Sequence, residues 1–317
     1  MPTSGSTDHN ATRNQVIASA LELCGSVVGA ADQSPDTNEI YASTARALND
    51  LVKHLRIRGM PAWLQATATV FLDAGKYRYT LGSAGDRATR SYVKTEVRVA
   101  AAAAAVTLEV LSTTGILGTH TIGVELTNGT MHWTTVNVIT DADTLTLTVG
   151  LPSGASVGGF VYAYATKLSY APQKLSDAYW RSASETDTLI NIAPRSEYNA
   201  ISNKASASSP VQVTYERDTY TAVLALWPAP DSVRKRLVIE YQREIEDFDA
   251  SADIPDFPSH YIYPITYLLA ARVAPIHGFP LSFASYLGKV GEAALELSLD
   301  SDSENTYIDL KVDLSGH

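Results

Sequence analysis

Residues 99–165 run for 67 positions without a lysine or arginine, and only four acids, Glu109, Glu125, Asp141 and Asp143, fall among them. The span is rich in Thr, Val and Gly. Apolar and polar residues alternate at 107–111, 121–126, 132–138, 144–149 and 160–164. Period two is the signature of strands with one buried face, and β-branched residues suit a pleated surface. Asn128-Gly129 is a strong hairpin turn, and Asp141-Ala142-Asp143 fits a second. The alanine run 100–105 has no caps and leads straight into β pattern, so it reads as a linker or edge strand. Five or six short strands describe a small all-β domain, a barrel or a sandwich, over about residues 90–167. It reads as an insertion, because the segments on either side connect naturally without it.

Those flanking segments follow other periods. Thr12-Arg13-Asn14-Gln15 fits a capping box, and Ile17, Ala20, Leu21, Cys24, Val27 and Val28 then recur at helical spacing. Ser34-Pro35 opens a second helix with a cap and a first-turn proline, and Gly59 is placed to end it. Together they predict an antiparallel helical hairpin. Within its second helix, Ile40, Leu48, Leu51 and Leu55 form an apolar stripe that serves either the core or a subunit interface. Strands are expected at 67–73 and 76–81, and again at 188–192, with a short helical turn at 195–202. Runs 211–215, 222–227 and 236–241 read as an antiparallel meander, its middle strand stopped by Pro228 and Pro230. Two helices, 259–274 and 282–299, follow, with Pro264 suited to a first turn. The fold class is therefore α+β: helical hairpin and C-terminal helices packed with a β meander, plus the inserted all-β domain. The expected domains are 1–89, 90–167, 168–299 and a C-terminal arm, 300–317.

Chemistry is sparse. At 317 residues the chain can bury one large core or two modest ones. Mean hydropathy is -0.04, no apolar run approaches the ~18 residues of a membrane span, and the polar first ten residues lack a signal-peptide core. A net charge of -10 argues against gripping nucleic acid over the whole surface. The basic clusters Lys53-His54-Leu55-Arg56-Ile57-Arg58 and Arg234-Lys235-Arg236 read as a helix end complementing its dipole and a solvated strand end. Cys24, alone of its kind, lies on an apolar helical face and reads as an inert buried thiol. Gly154-Ala155-Ser156-Val157-Gly158 matches a nucleophile elbow, but a strand rather than a helix follows it. The seven histidines show no metal-ligand spacing, and Asp300-Ser301-Asp302-Ser303-Glu304 lacks the glycine and distant glutamate of a calcium loop. Neither an enzyme nor a cofactor is indicated.

Three blocks in order carry a resemblance. The first is Ala20-Leu21, Leu23 and Gly25, then Ala47-Leu48-Asn49-Asp50-Leu51 running to Arg58-Gly59 and Trp63. The second is Arg195, Glu197-Tyr198, Ile201 and Asn203-Lys204, leading to Trp227-Pro228, Pro230 and a strand ending at Tyr241. The third is Asp256-Phe257-Pro258, a helix with Leu268-Leu269-Ala270-Ala271-Arg272, a His277-Gly278 break and a last Ala/Leu helix. In this order they resemble the head-to-tail adaptor (connector) family of tailed bacteriophages. The resemblance implies a virion structural protein at the head–tail junction. It would form a ring, a dodecamer, beneath the portal protein, and receive the tail tube or nozzle protein. It would also extend the channel through which DNA passes without sequence-specific binding. The insert is a departure, since the simplest members of the family lack it.

The final residues Tyr307, Ile308, Leu310, Val312 and Leu314 alternate with polar ones after an acidic run. They predict either an arm that docks on the portal or a neighbouring subunit, or a strand returning to this chain's own sheet. A different class of function is a carbohydrate- or surface-binding module, with Trp133, Tyr162 and Tyr164 as a stacking platform. Core packing accounts for those three aromatics equally well.

Overall fold

A computed structural model describes residues 11–25, 39–55 and 62–302. It is a mixed α and β protein with several antiparallel sheets. The chain forms two compact units: Met1–Gln65 with Glu244–His317, and Ala66–Arg243.

The first unit is helical: α1 (Arg13–Leu23), α2 (Glu39–Leu55), α4 (Ile262–Val273) and α5 (Leu281–Ser301). The capping box forms as its residues predict: Thr12 N–H donates to Gln15 Oε1 at 2.8 Å, and Gln15 N–H to Thr12 Oγ1 at 3.3 Å. Helix α4 packs on α1, α2 and α5, and burial of Ile265, Leu268, Leu269, Ala270 and Val273 makes it the centre of the core. Pro264 falls in its first turn, where no intrahelical donor is lost. An irregular strap from Glu244 onward is stapled down by polar side chains. Asn49 exchanges two hydrogen bonds with the Phe248 backbone at 3.1 and 3.2 Å, and Lys53 Nζ donates to Ile245 O at 2.7 Å.

Two expectations at the chain's end change. The helix expected over 259–274 divides into a 3-10 turn, Ser259–Tyr261, then α4, then a second 3-10 turn, Ala274–His277. The last helix runs to Ser301, so Asp300 belongs to it rather than to an arm. Asp302 ends the helix, accepting a hydrogen bond from Tyr261 Oη at 2.7 Å. The arm residues Tyr307, Ile308, Leu310, Val312 and Leu314 lie outside the described residues, as do Ser34, Pro35 and Gly59.

The second unit opens with β1 (Gln65–Phe71), β2 (Arg78–Leu81) and β3 (Ala88–Thr89). Six strands follow: β4 (Val93–Glu96), β5 (Thr107–Glu109), β6 (Thr121–Glu125), β7 (Met131–Ile139), β8 (Thr144–Leu147) and β9 (Phe160–Tyr164). They form one antiparallel sheet in the order β4-β9-β6-β7-β8-β5. Bonds just beyond its edge strands close it into a small barrel: Arg98 N–H to Glu109 O at 2.8 Å and Leu111 N–H to Glu96 O at 2.9 Å. Val97, Leu108, Ile122, Val124, Leu145 and Val161 fill its interior. Gly123 stands opposite Trp133, and a Cβ there would lie 2.6 Å from the indole, so the ring covers a position only glycine leaves open.

The chain then forms β10 (Lys174–Arg181), β11 (Asp187–Leu189), β12 (Asn191–Ile192), the short helix α3 (Arg195–Ala200) and β13 (Ala207–Ser208). It ends the unit with β14 (Gln212–Arg217), β15 (Ala222–Trp227), β16 (Ala229–Pro230) and β17 (Arg236–Gln242). One sheet has the order β11-β10-β17-β1-β3, and another β12-β14-β15-β2. Val70, Leu175, Ile239 and Tyr241 of the first share a core with Tyr79, Val213, Leu224 and Leu226 of the second.

The expected meander is therefore corrected. β14 and β15 pair antiparallel, but β17 enters the other sheet between β10 and β1. The reason is burial on both faces: Arg236, Leu237, Val238 and Ile239 are all inside, which a half-exposed meander strand does not require. The strand expected at 188–192 likewise breaks at buried Ile190, with β11 in one sheet and β12 in the other. Strands before and after the barrel thus share sheets, and the compact units divide at 65/66 and 243/244.

Candidate functional site

The residues singled out for chemistry take no catalytic arrangement. Ser156 lies in the loop before β9, with no helix after it to raise a nucleophile. Cys24 is in the helical core, and burial pushes its thiol up, away from the reactive thiolate. Among the described residues no group of three or more His, Cys, Asp or Glu side chains could hold a metal ion. No helix among them is long and apolar enough to cross a membrane.

The Pro194 to Pro230 motifs assemble into one loop cluster. Tyr198 on α3 is buried, and burial pushes its hydroxyl pKa up. The Lys204 ammonium lies 5.4 Å from the Tyr198 ring centre and donates to Ile201 O at 2.7 Å. Trp227 Nε1 donates to Asn203 O at 2.8 Å, and β13 pairs with β16 immediately beyond. Residues well separated in the chain therefore hold one another in place. The arrangement is a scaffold: the Trp227 indole and the Lys204 ammonium are both spent on the chain's own backbone.

Between the barrel and the two-sheet part lies a second cluster that the sequence reading missed. Strand β9 has both faces covered. Val161 and Ala163 point into the barrel, while Phe160, Tyr162 and Tyr164 meet Phe71 of β1, Tyr92 and Trp133 outside it. Arg236, read as part of a solvated strand end, is wholly buried here. Its guanidinium donates to Tyr92 Oη and Glu185 Oε1, both at 2.7 Å, and lies 5.6 and 5.4 Å from the Tyr92 and Tyr162 ring centres. Lys94 Nζ joins the same Glu185 carboxylate at 2.5 Å, and Arg234 pairs with Glu125 at 2.7 Å while covering Phe160. The usable signal was alternation, since β17 puts Arg236 on the same face as Val238. Tyr162 and Tyr164 are 0% and 2% exposed, so with half-buried Trp133 they are core rather than a stacking platform.

The helical unit presents the remaining candidate surface. Of the α2 stripe, Leu48 is fully buried, and Leu51 and Leu55 are half-buried against the same core. Ile40 is 43% exposed. The inward positions are Tyr41, Thr44, Ala45, Leu48 and Val52, so the helix turns Ile40 away from the core. Ile40, Ala42, Ser43 and Arg46 line one side of an open groove, with Ile276 and His277 on the other. Along α5, Leu281, Tyr286 and Leu297 are 62–76% exposed.

Set against known proteins, the chain matches no family model and no curated protein sequence.

Proposed function

We propose that this protein is a head-to-tail adaptor of a tailed bacteriophage, a structural subunit that self-associates into a ring between portal and tail. One observation carries the reading. The first and third sequence blocks, at opposite ends of the chain, build a single helical unit around α4, and that unit leaves Ile40, Ile276, Leu281, Tyr286 and Leu297 exposed. A body with a complete core and exposed aliphatic side chains on its helices is suited to side-by-side packing against copies of itself. The middle block serves as internal scaffold, which fits a protein whose work is done by surfaces rather than by a reactive site.

In this reading α1 and α2 are the N-terminal hairpin, the two sheets complete the adaptor core, the barrel is an added domain at the ring's edge, and residues after Asp302 are the docking arm. The acidic balance lets DNA pass the lumen without sticking. Mass measurement on the full chain over a concentration series is the test. A closed ring is expected; a species that stays monomeric at the highest concentration overturns the reading.

A further inference from the structure

The groove on the helical unit has a composition that points to its occupant. Its walls are Glu39, Ile40, Ser43 and Arg46 of α2 and Ile276 and His277 of the 3-10 turn after α4. Ile276 is 67% exposed, and His277 beside it is half-buried. Two aliphatic side chains, a cation, an imidazole ring and a carboxylate thus line one space. An extended segment in which aliphatic residues alternate with charged ones would satisfy all of them.

The chain carries such a segment beyond the last described residue, Asp302. In an extended conformation Ile308, Leu310, Val312 and Leu314 share one side, while Asp309, Lys311 and Asp313 share the other. The charge order is complementary. On α2, Glu39 and Arg46 are two turns apart, about 10 Å. Successive residues on one side of a strand are about 7 Å apart, so Asp309 can meet Arg46 while Lys311 meets Glu39. Direction favours a second copy over the same one. The groove lies at the start of α5 and the chain leaves at its end, 21 residues later. A chain's own segment would have to reverse at once and retrace the helix, whereas a neighbour's groove asks for no reversal.

We propose that residues 307–314 of one copy dock in the groove between α2 and Ile276 of a second copy, joining neighbours around the assembly. This rests on the ring-forming reading. The test uses full-length chains, with circular dichroism as a check on folding. Ile276→Asp, at an exposed position, and Leu310→Asp should each weaken self-association about tenfold or more. Mixing the two variants should give a 1:1 heterodimer and nothing larger, because one intact segment remains for one intact groove. Arg46→Glu should weaken association, and Asp309→Lys should restore it. If both single variants assemble as the unaltered chain does, or if the mixture gives no heterodimer, the docking is wrong while the adaptor reading stands. If the unaltered chain never associates, the adaptor reading fails and the docking with it.

Discussion

Arg236 stands at the end of a run of three cations in the sequence and is the most deeply buried charge among the described residues. Its guanidinium ties β17 to Tyr92 and to Glu185, and its faces lie against two tyrosine rings. Arg236→Ala should cost about 3 kcal/mol, from lost packing and a stranded Tyr92 hydroxyl. Glu185→Gln should cost less, because the Glu185 side chain is 47% exposed and water can replace part of what it gives. Urea denaturation of the two variants checks the order; a larger effect at Glu185 would mean that charge, not packing, holds the joint. Burial raises the Glu185 pKa, but hydrogen bonds from Lys94 and Arg236 outweigh it and hold the carboxyl below its usual range. The pair's stabilisation is therefore complete above the ordinary glutamate pKa and is lost as the pH falls below it.

Helix α5 shows how much a single element's sequence conceals. Its start and its apolar character are legible from the Ala/Leu pattern, yet its two central glycines look alike and play different parts. A Cβ on Gly291 would lie 2.8 Å from Leu268 Cγ and 3.0 Å from the Leu268 backbone nitrogen, so α4 and α5 touch there at a distance only glycine allows. A Cβ on Gly288 would meet the Ala271 Cβ at an ordinary 3.8 Å. Gly288→Ala should thus stabilise by about 0.5–1 kcal/mol through helix propensity. Gly291→Ala should destabilise by about 1–3 kcal/mol, because the helices must separate. Thermal unfolding of both variants reads the difference directly, and equal shifts would show that the helices do not cross at Gly291. The same limit applied to α2. Periodicity finds the helix but puts Ile40 and Leu48 on one stripe, and only the packing of α4 shows that one faces out and the other in.

For the whole molecule, the barrel's dependence on its surroundings changes what its removal should do. An insertion whose flanking segments connect without it implies that excising residues 90–167 leaves the parent fold intact. In the structure that cut uncovers Phe71 and deprives Arg236 of both tyrosine faces. The simple deletion should therefore give poorly soluble protein. The same deletion carrying Phe71→Thr and Arg236→Thr should recover folded material, measured as the soluble fraction with cooperative melting. If both deletions behave alike, the joint contributes nothing to the parent sheets.

Sequence by itself determined the elements whose causes are local. Thr12 and Gln15 form their capping box wherever the helix ends up, Pro264 selects a first turn, and alternating Thr, Val and Leu force strands in the cation-free span. It also determined that this span forms a β body with a core of its own, because a chain so poor in charge must bury its apolar face against itself. Tertiary structure alone decided the pairings between distant segments. β17 leaves its expected meander because both of its faces find cover, Ile190 splits a strand between two sheets, and Arg236 is drawn from a basic run into an aromatic joint. Strand partners and buried charges depend on surfaces brought together from across the chain, and no local period in the sequence records which surfaces those will be.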